Sequence, residues 1–303
     1  MPEPKIIFTG ASRAGWHRIQ NAKRCLQLHA YSCGTKSHAA HPTNEGRRPA
    51  LIKGTYMHLA LAQHYARMYC TQNGMDPNSF AQPQDAVDFM AKAQGEDEIG
   101  ELVNYVFAKY KQHFSDDPKR MKIIGVEKLY ETIIRGKYLY TGRVDLIWED
   151  SLGLAWVTDH KTTSRLTKSH KLYYSASGQL IGYAYLARTE HPEVSGVVLN
   201  AIQVTQSPKF ERIKLPRAPN FEKHFEQTIV DTEEAINRQE VSGRNIHAWP
   251  KAMNELTCYH RYGPCKFLDT CRWGAHQGVA GDWTIESDKI KRCGDKGGNS
   301  DTD

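Results

Sequence analysis

The stretch from Ile123 to Lys161 constrains this chain most. Ile123 to Ile134 alternates apolar and polar residues imperfectly, as a half-buried strand does. Arg135-Gly136-Lys137 is a turn signal, Tyr138 to Trp148 a second strand, Asp150 to Gly153 a second turn, and Leu154 to Lys161 a third strand. Residues two apart on a strand share a face. Asp159 and Lys161 therefore point one way, and Trp156, Thr158 and His160 the other. In the middle strand Arg143, Asp145 and Ile147 oppose Val144, Leu146 and Trp148. Adjacent strands place Asp145 beside Asp159 and Lys161.

Two carboxylates and an ammonium at one point suit divalent metal ions acting on a phosphodiester. The plain alternative is a solvated, charged sheet face, because an Asp-x-Lys triplet is common. The flanking segments decide between them. Upstream, Lys53-Gly54-Thr55-Tyr56-Met57-His58 opens a helix, with His58 expected in its first turn. Glu127 precedes the strand pair. Downstream, Ser177 to Leu186 is helical, and Gln179 and Tyr183, four apart, share a helix face.

The order Gly-x-x-x-His, Glu, Gly-x-x-Asp, Asp-x-Lys, Gln-x-x-x-Tyr resembles the PD-(D/E)XK nuclease superfamily, and within it the RecB-like branch. That branch includes the CRISPR-associated RecB-like exonucleases, AddB and phage recombination exonucleases. The resemblance covers roughly Ser12 to Gly274. It implies an α/β, restriction-endonuclease-like fold, a central mixed sheet flanked by helices, with an iron–sulfur subregion built from both ends of the domain. It implies His58, Asp145 and Asp159 as metal ligands, with the carbonyl of His160 as a further ligand. Lys161 would orient the attacking water or stabilise charge on the phosphate. Glu127 would support the metal, and Gln179 and Tyr183 would shape the site and contact DNA. In the nuclease motif the departure is Val144-Asp145 where the family name has Pro-Asp; Gly-x-x-Asp is common in this branch. Mg²⁺ or Mn²⁺ is the expected ion, since hard cations take carboxylate oxygens and Mn²⁺ tolerates one imidazole.

Seven cysteines are present, three of them in Cys258-x6-Cys265-x5-Cys271. A short N-terminal segment without a signal peptide, and no apolar run long enough to span a bilayer, point to a reducing, cytoplasmic setting. Cysteines there bind metal more often than they form disulfides. In the RecB-like exonucleases one early cysteine joins three late ones around a [4Fe–4S] cluster. The resemblance implies Cys25, Cys258, Cys265 and Cys271 here, with Cys33 a rival for the first place and His260 for the second. The six-residue gap after Cys258 is longer than in many relatives. Zinc and free thiols are the alternatives. Cys33, His38 and His41 offer a small zinc site, for which a polar loop is the plainer account; Cys70 and Cys293 have no role.

The remaining pattern gives a short strand at Lys5 to Thr9 and helices at Arg13–Tyr31, Thr55–Cys70, Gln84–Phe114, Leu172–Arg188 and Phe221–Arg238. Two closing strands are expected at Val194–Val204 and Lys209–Leu215. Ser32 to Pro49 and Thr71 to Gln84 read as loops. Residues 1–277 form one nuclease domain in this reading, with cluster-binding parts at 12–33 and 254–274, and 278–303 a flexible tail. The net charge of +6 is mild. Basic residues nonetheless flank the site: Arg47, Arg48 and Lys53 before it, Arg165, Lys168 and Lys171 after it. Tyr173 and Tyr174 are suited to stacking on unpaired bases.

The expected function is a metal-dependent DNA nuclease, an exonuclease on single strands or ends, in phage or bacterial recombination, repair or CRISPR adaptation. Its partners would be DNA, a recombination or adaptation protein, and no membrane. A non-catalytic DNA-binding module and a restriction-type endonuclease are the rivals. The presence of His58, Asp145, Asp159 and Lys161 together argues against the first.

Overall fold

A computed structural model describes residues 4–10, 12, 14–33, 49–167, 169–217, 220–243, 245–260 and 263–273. Expectations for His38, His41, Arg47, Arg48, Lys168, Cys293 and the tail lie outside these residues, as do those for the side chains of Cys33, Lys171 and His260. The chain divides into two compact units. One holds Met1–Ala11, Glu45–Glu131 and Gly142–Glu222; the other holds Ser12–Asn44, Thr132–Thr141 and Lys223–Asp303.

The first unit is mixed α/β. A five-stranded sheet runs in sequence order, β1 (Met121–Ile134), β2 (Tyr138–Asp150), β3 (Ala155–Thr163), β4 (Val194–Gln203) and β5 (Phe210–Pro216); all of it belongs to this unit but the end of β1 and the start of β2, within 132–141. β2 pairs antiparallel with β3, β3 parallel with β4, and β4 antiparallel with β5. The connection between the parallel strands carries the short helix α7 (Ser169–Ser175) and then α8 (Gly178–Arg188). A parallel pair needs such a crossover. β2, β3 and β4 are buried along most of their length, whereas the edge strand β5 alternates. Continuous burial of the middle strands requires cover on both faces.

Much of that cover is helical. α3 (Pro49–Gln72) packs against α4 (Pro83–Gln94), α5 (Asp97–His113) and β3, while α8 packs against β3 and β4; the single turn α6 (Asp117–Arg120) leads from α5 into β1. Tyr56, Met57, Leu61 and Tyr65 of α3 join Val87, Val103, Phe107, Leu146, Trp156 and Ile202 in one buried cluster. Burying a side chain of this size contributes about 1.5–3 kcal/mol. Gly95 caps α4 in the left-handed region, at φ 67°, and its N–H reaches the carbonyls of Ala91 and Lys92. That cap divides the helical stretch 84–114 into two helices.

The second unit contains α1 (Trp16–Arg24), α2 (Leu26–Cys33), most of α9 (Asn220–Val241), the single turn α10 (Glu255–Cys258), the hairpin β6 (Tyr259–His260) and β7 (Gly263–Pro264), and α11 (Leu268–Trp273). Ala22, Tyr31, Ile236 and Trp249 form its core, with Leu26, Phe267 and Cys271 against them. Arg18 pairs with Glu233, Arg24 donates to the carbonyl of Thr257, and the Gln27 N–H donates to the Pro250 carbonyl at 3.0 Å. No described helix is long and apolar enough to cross a membrane.

Candidate active site

Every proposed nuclease residue lies in the first unit, where the β2–β3 ladder ends. Paired register runs from Glu149↔Ala155 to Leu146↔Thr158. One step further, the His160 N–H donates to Asp145 Oδ2 at 2.8 Å. A side chain thus takes the hydrogen bond that a ladder would otherwise supply, and it fixes the Asp145 carboxylate beside β3. Asp159 and Lys161 share a face as alternation requires, and Lys161 Nζ donates to Asp159 Oδ1 at 2.8 Å.

His58 arrives from α3. The helix begins at Pro49, a residue pre-organised for a first helical position, so His58 lies in its third turn and not in its first. Gly54 explains how the helix comes so near: a Cβ there would meet Thr162 Oγ1 of β3 at 3.0 Å. One turn later, His58 Nδ1 stands 3.5 Å from Asp145 Oδ2. Glu127 arrives from β1 by a backbone irregularity. Its φ of +48° is in the left-handed region, which costs a non-glycine residue about 1–3 kcal/mol. This kink is the physical origin of the imperfect alternation in the first strand pattern. Ligand atoms of His58, Glu127 and Asp145 all lie within 4.8 Å of one another. Asp159 is not in that group; Lys161 occupies one of its oxygens.

The electrostatics are those of crowded acids. The Glu127 carboxyl is pushed up to about 9, first by burial and then by Asp145, with Arg143 opposing. Burial also raises Asp159; Lys161 pulls against it and Asp145 adds to it. Burial acts to lower the Lys161 ammonium, but Asp159 and Asp145 outweigh it, so the lysine is held charged. Asp159 Oδ2 is buried and has no hydrogen-bond partner. An orphaned buried carboxylate oxygen near a His–Glu–Asp donor set fits a hard divalent cation, which compensates the charge that the protein leaves open.

Gln179 and Tyr183 sit one turn apart on α8, and Gln179 Nε2 donates to the Tyr183 hydroxyl at 2.9 Å. The glycine of Gly-x-x-Asp seats this helix. A Cβ on Gly142 would stand 2.4 Å from Leu186 Cδ1 and 3.3 Å from the Tyr183 ring. Tyr174 is close enough to raise the Lys161 ammonium further.

Sequence reasoning missed the polar residues behind His160. That ring is buried and neutral, its pKa lowered to about 3, chiefly by burial. Its Nδ1 is 2.8 Å from Asn200 Nδ2. The available signal was a single Asn inside the apolar run Val197-Val198-Leu199-Asn200-Ala201-Ile202.

The four cysteines of the expected cluster all lie in the second unit and are half-buried, free thiols. Cys25 occupies the extended break between α1 and α2. Cys258 and Cys265 flank the β6–β7 hairpin, where the Cys265 N–H donates to the Cys258 carbonyl at 2.7 Å. The Cys271 thiol is pushed up to about 11, by burial first; Lys251 opposes this, while Cys265, Cys25 and Cys258 all add to it. Cys271 is therefore within electrostatic reach of the other three. Among the described residues no three thiols bring their sulfurs within 4.8 Å. Tetrahedral zinc would need about 3.8 Å between sulfurs. A [4Fe–4S] cluster seats each sulfur on its own iron and sets them farther apart.

A family model of the PD-(D/E)XK nuclease superfamily matches residues 16–272. A solved structure from Eubacterium rectale, described as a "Putative exonuclease", is 12% identical with a TM-score of 0.47, covering 87% of this chain and 88% of that one. The structure of SSO0001 is 14% identical with a TM-score of 0.30, covering 61% of this chain and 86% of that one. No curated protein matches.

Proposed function

The chain belongs to the PD-(D/E)XK nuclease superfamily, and from that premise we propose that it is a Mg²⁺- or Mn²⁺-dependent DNA exonuclease acting on single strands or free ends. The observation that carries the reading is the convergence of His58, Glu127 and Asp145 donor atoms within 4.8 Å, beside an Asp159–Lys161 pair with one orphaned carboxylate oxygen.

His58, Asp145 and Asp159 would hold the ion, with the His160 carbonyl as a further ligand, and Glu127 would add its carboxylate once deprotonated. When bound, the ion neutralises charge on the phosphodiester and acidifies a water. Lys161 remains an ammonium at this acidic centre and orients the attacking water or receives charge developing on the phosphate. Gln179 and Tyr183 shape the wall along which DNA lies, and Arg165, Tyr173 and Tyr174 extend it. We read residues 1–277 as one nuclease domain of the RecB-like branch, working in phage or bacterial recombination, repair or CRISPR adaptation with a protein partner in the cytoplasm.

In this reading Cys25, Cys258, Cys265 and Cys271 hold a [4Fe–4S] cluster that ties the early helices to the late hairpin, a staple without a redox step. What supports a shared site is that Cys25, Cys258 and Cys265 all act on the Cys271 thiol; zinc on the same four ligands is the alternative. The experiment is cleavage of linear and circular single-stranded DNA with Mg²⁺, Mn²⁺ or EDTA. Degradation of the linear form alone supports an exonuclease. Cleavage of circles assigns an endonuclease, and metal-independent binding without cleavage assigns a binding module.

A further inference from the structure

Behind the centre, a chain of buried polar groups runs from His160 of β3 to Arg212 of the edge strand β5. β3 and β4 are parallel here, with His160 level with Asn200. Asn200 is wholly buried, and its Nδ2 lies 2.8 Å from His160 Nδ1 and 2.8 Å from the Tyr110 hydroxyl. The Tyr110 and Tyr65 hydroxyls are 2.9 Å apart, and Tyr65 donates to Asp117 Oδ2 at 3.1 Å. Arg212 closes the chain. It donates to Tyr65 at 2.9 Å, to Tyr110 at 2.8 Å, and to both Asp117 oxygens at 2.6 Å.

Proton counting gives this chain a direction. With Nδ2 facing both neighbours, the Asn200 amide donates to His160 Nδ1 and to Tyr110, and its Oδ1 is buried without a partner. Tyr110 donates to Tyr65, Tyr65 to Asp117, and the guanidinium is acceptor-free and serves all three. His160 Nδ1 is then an acceptor and its proton sits on Nε2. An apolar core would fill this volume as stably; what hydrogen bonds add is a fixed ring orientation. That orientation reaches the centre by three routes. The His160 backbone N–H holds Asp145. Its ring meets the His58 ring edge-on at 5.7 Å and lies parallel to the Tyr65 ring at 6.0 Å. Its neighbours in sequence are Asp159 and Lys161.

We propose that Asn200, anchored through Tyr110 and Tyr65 to the Arg212–Asp117 pair, is a positioning residue that locks His160 as its Nε2–H tautomer and thereby holds His58, Asp145 and Asp159 in register for the cation. This rests on the nuclease reading of the site but is tested apart from it.

The test compares wild type with Asn200→Leu, which keeps the volume and removes the donor, and with Tyr110→Phe, which removes one link and keeps the ring. Side-chain ¹⁵N shifts report the His160 tautomer, Mn²⁺ titration followed by electron paramagnetic resonance reports cation affinity, and melting curves report folding. Wild type is expected to show one Nε2–H tautomer. Asn200→Leu should show mixed tautomers and bind Mn²⁺ about tenfold more weakly, with kcat falling while DNA affinity holds. Tyr110→Phe should move the same readouts less, and it decides the matter if Asn200→Leu does not fold. A wild-type Nδ1–H tautomer, or folded variants with unchanged shifts and Mn²⁺ affinity, would overturn the proposal. A wild type that cleaves no DNA sinks the nuclease reading instead, while the tautomer and Mn²⁺ measurements still decide this one.

Discussion

Replacing Glu127 by Gln should change how the metal-free protein responds to pH. The Glu127 carboxyl moves from an ordinary value of 4.5 to about 9 in the folded state, through burial first and Asp145 second. The unfolded chain therefore loses its proton at low pH while the folded protein keeps it. A group raised in this way contributes stability that is fully present below pH 4.5 and is lost as pH rises towards 9. Each pH unit inside that window is worth about 1.4 kcal/mol, so between pH 5 and pH 8 the loss approaches about 4 kcal/mol. Asp159, also raised, adds to the same slope. Glu127→Gln removes the larger titration and keeps the shape. Urea unfolding in EDTA at pH 5 and pH 8 should show wild type losing several kcal/mol and the variant losing distinctly less. Saturating Mn²⁺ should flatten the wild-type slope, because the cation replaces the proton. Identical slopes for the two proteins in EDTA would refute the argument.

Other outcomes follow from the same geometry. Lys161→Met should lower cleavage by about a hundredfold or more while DNA binding survives; a gel-shift and an end-label assay on the same preparation separate the two. Gly142→Ala inserts a Cβ 2.4 Å from Leu186 Cδ1 and 3.3 Å from the Tyr183 ring. Overpacking of this kind costs about 1–3 kcal/mol, so the melting temperature should drop by several degrees and activity should fall with Tyr183 displaced; an unchanged melting curve contradicts this. Protein purified without oxygen should be brown with near-equal iron and acid-labile sulfide, and Cys271→Ser should lower stability more than turnover. Colourless protein with stoichiometric zinc rejects the cluster and keeps the ligands.

The strands were legible because period-two patterns and turn signals coincide at Arg135–Lys137 and Asp150–Gly153. Face parity placed Asp145, Asp159 and Lys161 together for the same reason, and i, i+4 spacing paired Gln179 with Tyr183. Helix boundaries were less legible. Pro49 starts α3 a turn and a half before Thr55, and Gly95, Cys25 and Ser177 break stretches that read as continuous helix. Each break is a backbone event at one residue, and periodicity averages over such events. The motif order singled out Glu127, but the kink that aims it showed only as an irregular alternation, since nothing in a glutamate announces a φ of +48°. The Asn200–Arg212 chain was illegible because its members come from five elements in three separate stretches of sequence, around Tyr65, Tyr110–Asp117 and Asn200–Arg212. Only tertiary packing brings them together.

The most direct test of the central claim is cleavage of end-labelled single-stranded DNA by wild type and Asp159→Asn, with Mn²⁺ and with EDTA. The account predicts progressive shortening by wild type in Mn²⁺, none in EDTA, and a loss of about a hundredfold or more in Asp159→Asn with DNA binding intact. Full activity in Asp159→Asn, or cleavage that persists in EDTA, would contradict it.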